Sequence, residues 1–194
     1  AAGNKIFTLL DAPIEVRDET DAVTLPTIKG HINFKDVYFA YEGDDYVLKD
    51  INLDVPEGTS VAFVGHTGAG KTTLIKLIQR LYDITKGRLT IDGYDLDKIS
   101  QNSLRGQLGV VLQEPHLFSG TVMENVRYGR LDATDDEVIE AAKAVGAHEF
   151  IMKMEDGYQT EVREGGSLLS AGQKQLLSFA RALLADPRIL ILDE

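Results

Sequence analysis

The chain has 194 residues, of which 43% are hydrophobic, and a formal net charge of −11. This length and composition are typical of one folded unit rather than of a disordered protein. The acidic charge disfavours a general nucleic-acid binder, which usually presents a basic face to phosphates. The chain contains no cysteine, which excludes disulfides and thiolate metal sites, and no apolar run reaches the length that crosses a bilayer.

The first 29 residues mix charged side chains with Pro13 and Pro26, which is typical of a linker. A short apolar stretch at residues 6–10 predicts a helical piece within it. The pattern changes at Gly30, where we expect a folded domain to begin.

Beyond Gly30, short runs of alternating or continuous apolar residues predict strands. A hairpin is expected about the turn Asp92-Gly93, a pair favoured in tight turns. The last run, 188–192, is almost wholly apolar, which predicts a parallel strand covered on both faces. The strand predictions are residues 31–41, 47–55, 60–64, 87–96, 108–112 and 188–192.

Helices are predicted where apolar residues recur every three or four positions. They cover residues 73–81, 134–145 and 170–184, and the second begins with Thr134 and Glu137 in the spacing of a capping box. Residues 114–169 are predicted to form a helical insertion.

A glycine-rich run lies between the predicted strand 60–64 and the helix that follows it. The run matches G-x4-G-K-[S/T], a loop whose backbone N–H groups surround phosphates at a helix N-terminus. In it, Lys71 is expected to reach the outer phosphates and Thr72 to offer a hydroxyl to Mg²⁺. The run reads Gly65-His66-Thr67-Gly68-Ala69-Gly70-Lys71-Thr72.

The apolar strand 188–192 ends in two carboxylates, Asp193 and Glu194. Such a strand would deliver both to the carboxyl edge of a sheet. Asp193 is then expected to hold Mg²⁺, and Glu194 to orient and polarise an attacking water. The alternative is that the acidic pair only ends a buried strand with solvated charge.

A third signal is Leu169-Ser170-Ala171-Gly172-Gln173. Ser170 and Gln173 have the spacing of a capping box, so they are expected to start a helix. A capped helix N-terminus with an exposed serine and a flexible glycine is also an anion site. Both interpretations can hold together.

In order and approximate spacing, these three signals resemble the nucleotide-binding domains of ABC transporters, over nearly the whole chain. The family element reads L-S-G-G-Q, so Ala171 departs at one glycine position. The resemblance implies an α/β fold: a P-loop NTPase core with a mostly parallel sheet, an antiparallel β-subdomain and an α-helical subdomain. It also implies ATP and Mg²⁺ as ligands, and a second nucleotide-binding domain as homo- or heterodimeric partner.

The resemblance implies roles for further residues. Tyr41 is similar to the aromatic residue that stacks on adenine, although a strand-packing tyrosine is the alternative. Gln113 is similar to the glutamine that contacts Mg²⁺ and the reacting water. We therefore predict Glu194, Gln113 and Lys71 as catalytic and Thr72, Gln113 and Asp193 as metal ligands. The predicted nucleotide contacts are Tyr41, Gly65, Thr67, Gly68, Gly70, Lys71, Thr72, Thr73, Ser170, Gly172 and Gln173.

Residues 160–166 are similar to the X-loop of exporters, with Arg163 in place of a glycine; a solvated acidic loop is the alternative. In that comparison Glu164 faces the transmembrane coupling helices. Residues 5–11 also resemble the stretch by which the membrane helices of exporters run into their motor domain. The resemblance implies that residues 1–29 are a linker from an upstream transmembrane domain and that 30–194 are the ATP-binding domain of an exporter. Such a domain lies on the cytoplasmic face of a membrane and has no nucleic-acid partner.

Two other functions stay open at this point. One is a catalytically weak ATP-binding half of a heterodimeric transporter, which Ala171 and Arg163 favour and an intact Glu194 opposes. The other is a soluble ABC ATPase or an unrelated P-loop kinase or GTPase, although the chain has no N-K-x-D guanine motif. The family's D-loop and switch histidine follow the terminal carboxylates, so this stretch is expected to bind ATP but to hydrolyse it poorly.

Overall fold

The computed structural model describes residues 6–8, 10–12, 14, 16–166 and 168–193. The chain divides into two compact units, Ala1–Leu104 and Arg105–Glu194. Residues 6–8 and 10 are helical, as predicted for that stretch. Across the described ranges, no helix combines the length and the apolar character that crossing a membrane requires.

The first unit is built on a four-stranded antiparallel sheet in the order β2-β1-β3-β4. Buried apolar side chains alternate along β1, and they include Phe34 and Phe39. This alternation confirms the predicted strands 31–41 and 47–55. The strands are β1 Ile32–Ala40, β2 Tyr46–Val55, β3 Lys86–Ile91 and β4 Tyr94–Asp95.

The hairpin predicted at Asp92-Gly93 is confirmed between β3 and β4. Both turn residues have left-handed backbone, with φ of 49° at Asp92 and 83° at Gly93, as a tight hairpin turn requires. The Asp92 carboxylate also accepts hydrogen bonds from the backbone N–H groups of residues 29–31. The turn therefore fastens the chain where it enters β1.

Helix α1, Lys71–Ile78, follows the glycine-rich run directly and buries Leu74, Ile75, Leu77 and Ile78. The strand predicted before it, residues 60–64, is wrong: residues 60–66 adopt no regular structure. An apolar run becomes a strand only when a neighbouring strand accepts and donates its backbone hydrogen bonds. Val64 is accordingly 94% exposed. A short helix, α2 Gln101–Arg105, follows β4 and a 3-10 turn.

The second unit combines helices with two small sheets, one of them parallel. β5 Leu108–Val111 pairs in parallel with β8 Ile189–Leu192, and β6 Gly120–Thr121 pairs with β7 Glu161–Val162 in antiparallel fashion. The helices surround a single apolar cluster that includes Leu117, Val126, Ile151 and Leu177. They are α3 Val122–Arg127, α4 Asp135–Ala144, α5 His148–Ile151 and α6 Ala171–Leu184.

Three helices of this unit begin with a complete capping box. Thr134 and Glu137 cap α4, and Ser170 and Gln173 cap α6, both as predicted. Thr121 and Glu124 cap α3 in the same way, and this box was not predicted. Each N-cap satisfies backbone donors that the helix leaves free and contributes about 1 kcal/mol.

The pairing of β8 is as predicted, but its burial is not. Ile191 is buried, whereas Leu190 and Leu192 are 49% and 45% exposed. Because strand side chains alternate between faces, only one face of β8 is covered within the described part of the unit. The apolar composition of residues 188–192 therefore predicted more burial of this strand than the structure shows.

Two glycines with similar backbone provide a matched test of the first sheet. Gly87 and Gly93 have φ of 90° and 83°. A Cβ on Gly87 would lie 2.2 Å from the Asp36 carbonyl oxygen, whereas one on Gly93 would have no atom within 4 Å. We expect Gly93→Ala to cost about 1–2 kcal/mol through backbone strain, and Gly87→Ala about 1–3 kcal/mol more through the clash. Urea denaturation of both variants checks this, and equal losses would contradict the register of β1 and β3.

Candidate functional site

The glycine-rich run forms a loop that turns directly into helix α1. Gly68 and Gly70 have φ of 86° and 89°, values that favour glycine because a Cβ is strained there. Gly70 occupies the N-cap position, where it has no side chain to accept a hydrogen bond. No side chain therefore caps the first turn, whose N–H groups have no partner within the helix.

The Lys71 side chain lies back over this loop. Its Nζ donates to the carbonyl oxygens of Gly65, at 2.7 Å, and His66, at 3.0 Å. The first turn of α1 contains no acidic residue. The ammonium group therefore stands beside the loop with no carboxylate of that turn to neutralise it.

These residues fit a polyphosphate. Residues 65–69 are exposed, as is Thr72 at the start of α1. A Cβ on Gly68 would meet nothing within 4 Å, whereas Gly70 packs so closely on Leu48 that a Cβ would lie 2.6 Å from its Cδ2. Gly68 thus lies where the loop is open, and Gly70 allows the loop to pack closely against β2. Exposed N–H groups, a cation and a hydroxyl are what a phosphate chain requires.

Tyr41, predicted to stack on a base, lies one residue beyond β1. Its hydroxyl is 3.1 Å from Oγ1 of Thr73, and Lys76 Nζ lies 5.6 Å from its ring centroid. The residue is 43% exposed. The structure therefore connects Tyr41 to the helix that carries Lys71, with part of its surface still accessible.

Tyr41 also packs edge-to-face on Phe39 and on Tyr82, at 4.8 and 5.0 Å between ring centroids. The packing interpretation of this tyrosine is thus observed, and the stacking interpretation stays a prediction. Sequence reasoning missed Tyr82, because its partners lie about forty positions away and no periodicity connects them.

In the second unit, Gln113 and Asp193 come to the same edge of a sheet. β5 and β8 run in parallel with Val111 opposite Leu192, and the Asp193 N–H donates to the Val111 carbonyl at 2.9 Å. Both side chains therefore follow the carboxyl ends of adjacent strands. Gln113 is exposed and Asp193 is half-buried. Glu194 lies outside the described residues, so its predicted role is not tested.

No group of three or more His, Asp and Glu side chains that could hold a metal ion occurs in the described part of the chain. The predicted metal ligands Thr72, Gln113 and Asp193 offer hydroxyl, amide and carboxylate oxygens, the donor types that Mg²⁺ takes together with several waters. Their role in holding a metal stays a prediction.

Ser170 caps helix α6. Its Oγ accepts from the Gln173 N–H at 3.3 Å, and Oε1 of Gln173 accepts from the Ser170 N–H at 2.9 Å. Ala171 and Gly172 are exposed, and a Cβ on Gly172 would have no atom within 4 Å. The capping interpretation is confirmed, while the exposed helix start leaves the anion interpretation a prediction.

Residues 160–166 are fastened to the segment that follows Gln113. The Thr160 carbonyl accepts from the Val122 N–H at 3.0 Å, and the Gly165 N–H donates to the Leu117 carbonyl at 3.0 Å. Glu164 belongs to a 3-10 turn, Glu164–Gly166, and the structure describes its backbone but not its side chain. The predicted outward role of Glu164 is therefore not tested.

Sequence reasoning also missed Arg181 of helix α6. Its guanidinium donates to the carbonyl oxygens of Asn125 and His116 and lies over the rings of Phe118 and Tyr128. Burial lowers the pKa of Arg181, but the hydrogen bonds and ring contacts compensate for the loss of water. One arginine in a helix gives no signal in the sequence that separates it from a surface residue.

Comparison with known proteins agrees with this geometry. The family model described as ABC transporter matches residues 48–194. YknV of Bacillus subtilis, an uncharacterized ABC transporter ATP-binding protein, is 50% identical over 194 residues, which are all of this chain and 32% of that protein. YgaD of the same organism, named among multidrug export ATP-binding/permease proteins, is 49% identical over 195 residues, which are 100% of this chain and 34% of that protein.

Among solved structures, a bacterial Atm1-family ABC exporter with ATP bound matches with a TM-score of 0.93 and 41% identity, over 99% of this chain and 34% of that one. The predicted α/β fold of the P-loop NTPase class is thereby confirmed. The chain spans about a third of the length of the curated relatives it matches. On these matches, the chain belongs to the ABC transporter family as an ATP-binding domain.

Proposed function

We propose that this chain is the MgATP-driven motor domain of an exporter, in which ATP-dependent dimerisation is coupled to transport across a membrane. The observation that carries the proposal is the glycine-rich loop, exposed over residues 65–69, with the Lys71 ammonium beside it at the start of helix α1. The similarity to an ATP-bound exporter supports the same conclusion.

Each predicted site residue has a role in this proposal. Residues 65–72 hold the phosphates through backbone N–H groups, Lys71 adds a positive charge, and Thr73 holds Tyr41 where it can stack on the adenine. Base–aromatic stacking of this kind contributes about 1–3 kcal/mol. Thr72, Gln113 and Asp193 are the proposed oxygen ligands of Mg²⁺. When bound, ATP supplies the γ-phosphoryl group whose transfer to water provides the free energy.

Hydrolysis in this proposal depends on positioning and charge neutralisation. Gln113 and Glu194 orient the water that attacks, and Glu194 polarises it. Ser170, Gly172 and Gln173 meet the phosphates held by a second copy or a related domain. A chain without such a partner therefore binds ATP and hydrolyses it slowly.

The departure at Ala171 does not weaken this proposal. Ala171 is the first residue of helix α6 and is exposed, and alanine is the most favourable residue in a helix. The helix start is therefore intact without the second glycine of the family pattern. Arg163 of the loop 160–166 remains the departure that favours the catalytically weak half.

The proposal includes the arrangement of the whole protein. Residues 1–29 are a linker from an upstream transmembrane domain, 30–194 form the ATP-binding domain, and 114–169 form its helical subdomain. The names of relatives that combine ATP-binding and permease parts support this arrangement. The domain would then lie on the cytoplasmic face of the membrane, and the loop 160–166 would face the transmembrane part.

Lys71→Ala tests the phosphate loop directly. Loss of a charge-assisted hydrogen bond costs about 1.5–3 kcal/mol, so we expect MgATP affinity to fall about 10- to 150-fold in calorimetry. Lys49→Ala, at an exposed position of β2 in the same unit, is the matched control and should leave the affinity unchanged. Equal affinities of the Lys71 variant and the control would reject the assignment.

Glu194→Gln tests ATP-dependent dimerisation. The amide keeps the shape of the side chain but is a far weaker base, so MgATP should be bound and not consumed. We expect light scattering to show a dimer with MgATP and a monomer without it. A monomer under both conditions, with MgATP bound, would contradict the dimeric motor.

Two substitutions at Ser170 separate its two interpretations. Ser170→Ala removes the cap and should lower the free energy of unfolding by about 1 kcal/mol, whereas Ser170→Asp keeps a good N-cap. If Ser170 also meets a phosphate, the aspartate should abolish MgATP-dependent dimerisation by charge repulsion while stability is retained. If the Ser170→Asp variant dimerises as the wild-type chain does, Ser170 acts only as the N-cap of helix α6.

A further inference from the structure

Helix α1 is followed by an arginine in a position that usually belongs to glycine. Arg80 has φ of 50° and follows Gln79, the C-cap residue of the helix. A side chain in left-handed backbone costs about 1–2 kcal/mol, which is why glycine is common after a helix. Arg80 is nevertheless only 1% exposed, so its side chain is held at a specific place inside the unit.

The Arg80 guanidinium joins segments that are distant in the sequence. It donates to the Ile99 carbonyl, and from Nε to the Asp83 carboxylate at 3.3 Å. Its other donors reach the N-terminal segment, at 3.0 Å to the Arg17 carbonyl and 3.1 Å to Oδ1 of Asp18. Arg80, which follows the C-cap of helix α1, therefore holds residues 17 and 18 of the N-terminal segment.

We call residues 17–24 the strap. Apart from half-buried Ala22, these residues are exposed, and buried apolar anchors begin only at Leu25 and Ile28. The strap is attached through backbone bonds between Val23 and residues 98 and 100, at 2.7 and 2.8 Å. Further attachments are an ion pair from Glu19 to Lys98 at 2.6 Å and the contacts of Arg80.

The strap has little apolar packing beneath it. A cavity of about 560 Å³ is lined by Arg17 and Glu19 of the strap and by Arg80, Leu89 and other residues of the same unit. Segments held by a few polar bonds open at lower free energy than packed ones. The strap can therefore be released without unfolding the sheet.

Asp18 connects the Arg80 contact to a second helix. Both of its carboxylate oxygens accept from the Gln101 N–H, at 3.1 Å each, at the start of α2. Burial acts to raise the pKa of Asp18, but the hydrogen bonds from Gln101 and the charge of Arg80 outweigh it and lower the pKa. The carboxylate therefore stays ionised and available to Arg80 at neutral pH.

We propose that Arg80 is a positioning residue that couples nucleotide occupancy at the phosphate loop to attachment of the strap. The inference rests on the proposed function. A ligand at residues 65–72 orders the N-terminus of α1, and the eight-residue helix transmits this order to Arg80 at its other end. Because coupling between two sites is reciprocal, release of the strap weakens nucleotide binding by the same factor by which nucleotide secures the strap.

The test measures hydrogen exchange at the Val23 amide, which donates across to the Lys98 carbonyl, with and without MgATP. We expect protection in the wild-type chain to rise at least about fivefold, the lower end of typical allosteric couplings. Asp18→Ala should abolish this increase and lower MgATP affinity by the same factor. Asp95→Asn is the matched control, since it weakens another Asp–Arg pair of the same unit, with Arg88, and should behave as wild type.

The possible results distinguish failure of the coupling from failure of the proposed function. If calorimetry shows MgATP binding but Val23 exchange is unchanged in the wild-type chain, the coupling is overturned and the proposed function stands. A full increase in protection in Asp18→Ala would likewise reject Arg80 as the connection. If MgATP does not bind at all, the proposed function itself fails. The wild-type comparison needs no variant, so poor folding of Asp18→Ala would not remove the test.

Discussion

The start of helix α1 combines the Lys71 ammonium with a first turn that no side chain caps, and every functional proposal for this chain depends on that arrangement. Left-handed backbone at Gly68 and Gly70 turns the chain directly into helix α1. Lys71 lies over the same loop through the carbonyls of Gly65 and His66. The helix is held from behind, because Gly70 packs on Leu48 and the apolar face of α1 is buried. The fold thus sets the course of this loop, on which the proposed anion site depends.

Features that depend on residues close together in the sequence could be predicted from it. The strands 31–41 and 47–55, the Asp92-Gly93 turn and the capping boxes at Thr134 and Ser170 follow from periodicity and from hydrogen bonds within one turn. Whether residues 60–64 form a strand, and whether one or both faces of β8 are covered, could not be predicted in this way. Both depend on which segment lies alongside, and an apolar run does not specify that segment.

The same distinction applies to the site. The loop at Gly68, Gly70 and Lys71 could be predicted because such a loop is a contiguous motif with its own backbone geometry, while its binding role stays a proposal. The contact of Tyr41 with Thr73, the strap bound by Arg80 and the aromatic pair beneath Arg181 bring together residues that are distant in sequence. In each case, a long basic side chain or a hydroxyl group contacts partners that come together only in the folded chain. Arg80 is buried and Arg181 half-buried, and composition alone does not reveal either set of contacts.

The central claim is that the backbone of residues 65–72 binds the phosphates of ATP. Backbone amide chemical shifts across the chain, recorded by NMR during titration with MgATP, test this most directly. The account predicts that the largest changes fall on residues 65–72, and that inorganic triphosphate with Mg²⁺ reproduces them while adenosine does not. Saturable binding that leaves these amides unchanged, with its shifts concentrated elsewhere in the chain, would contradict the account.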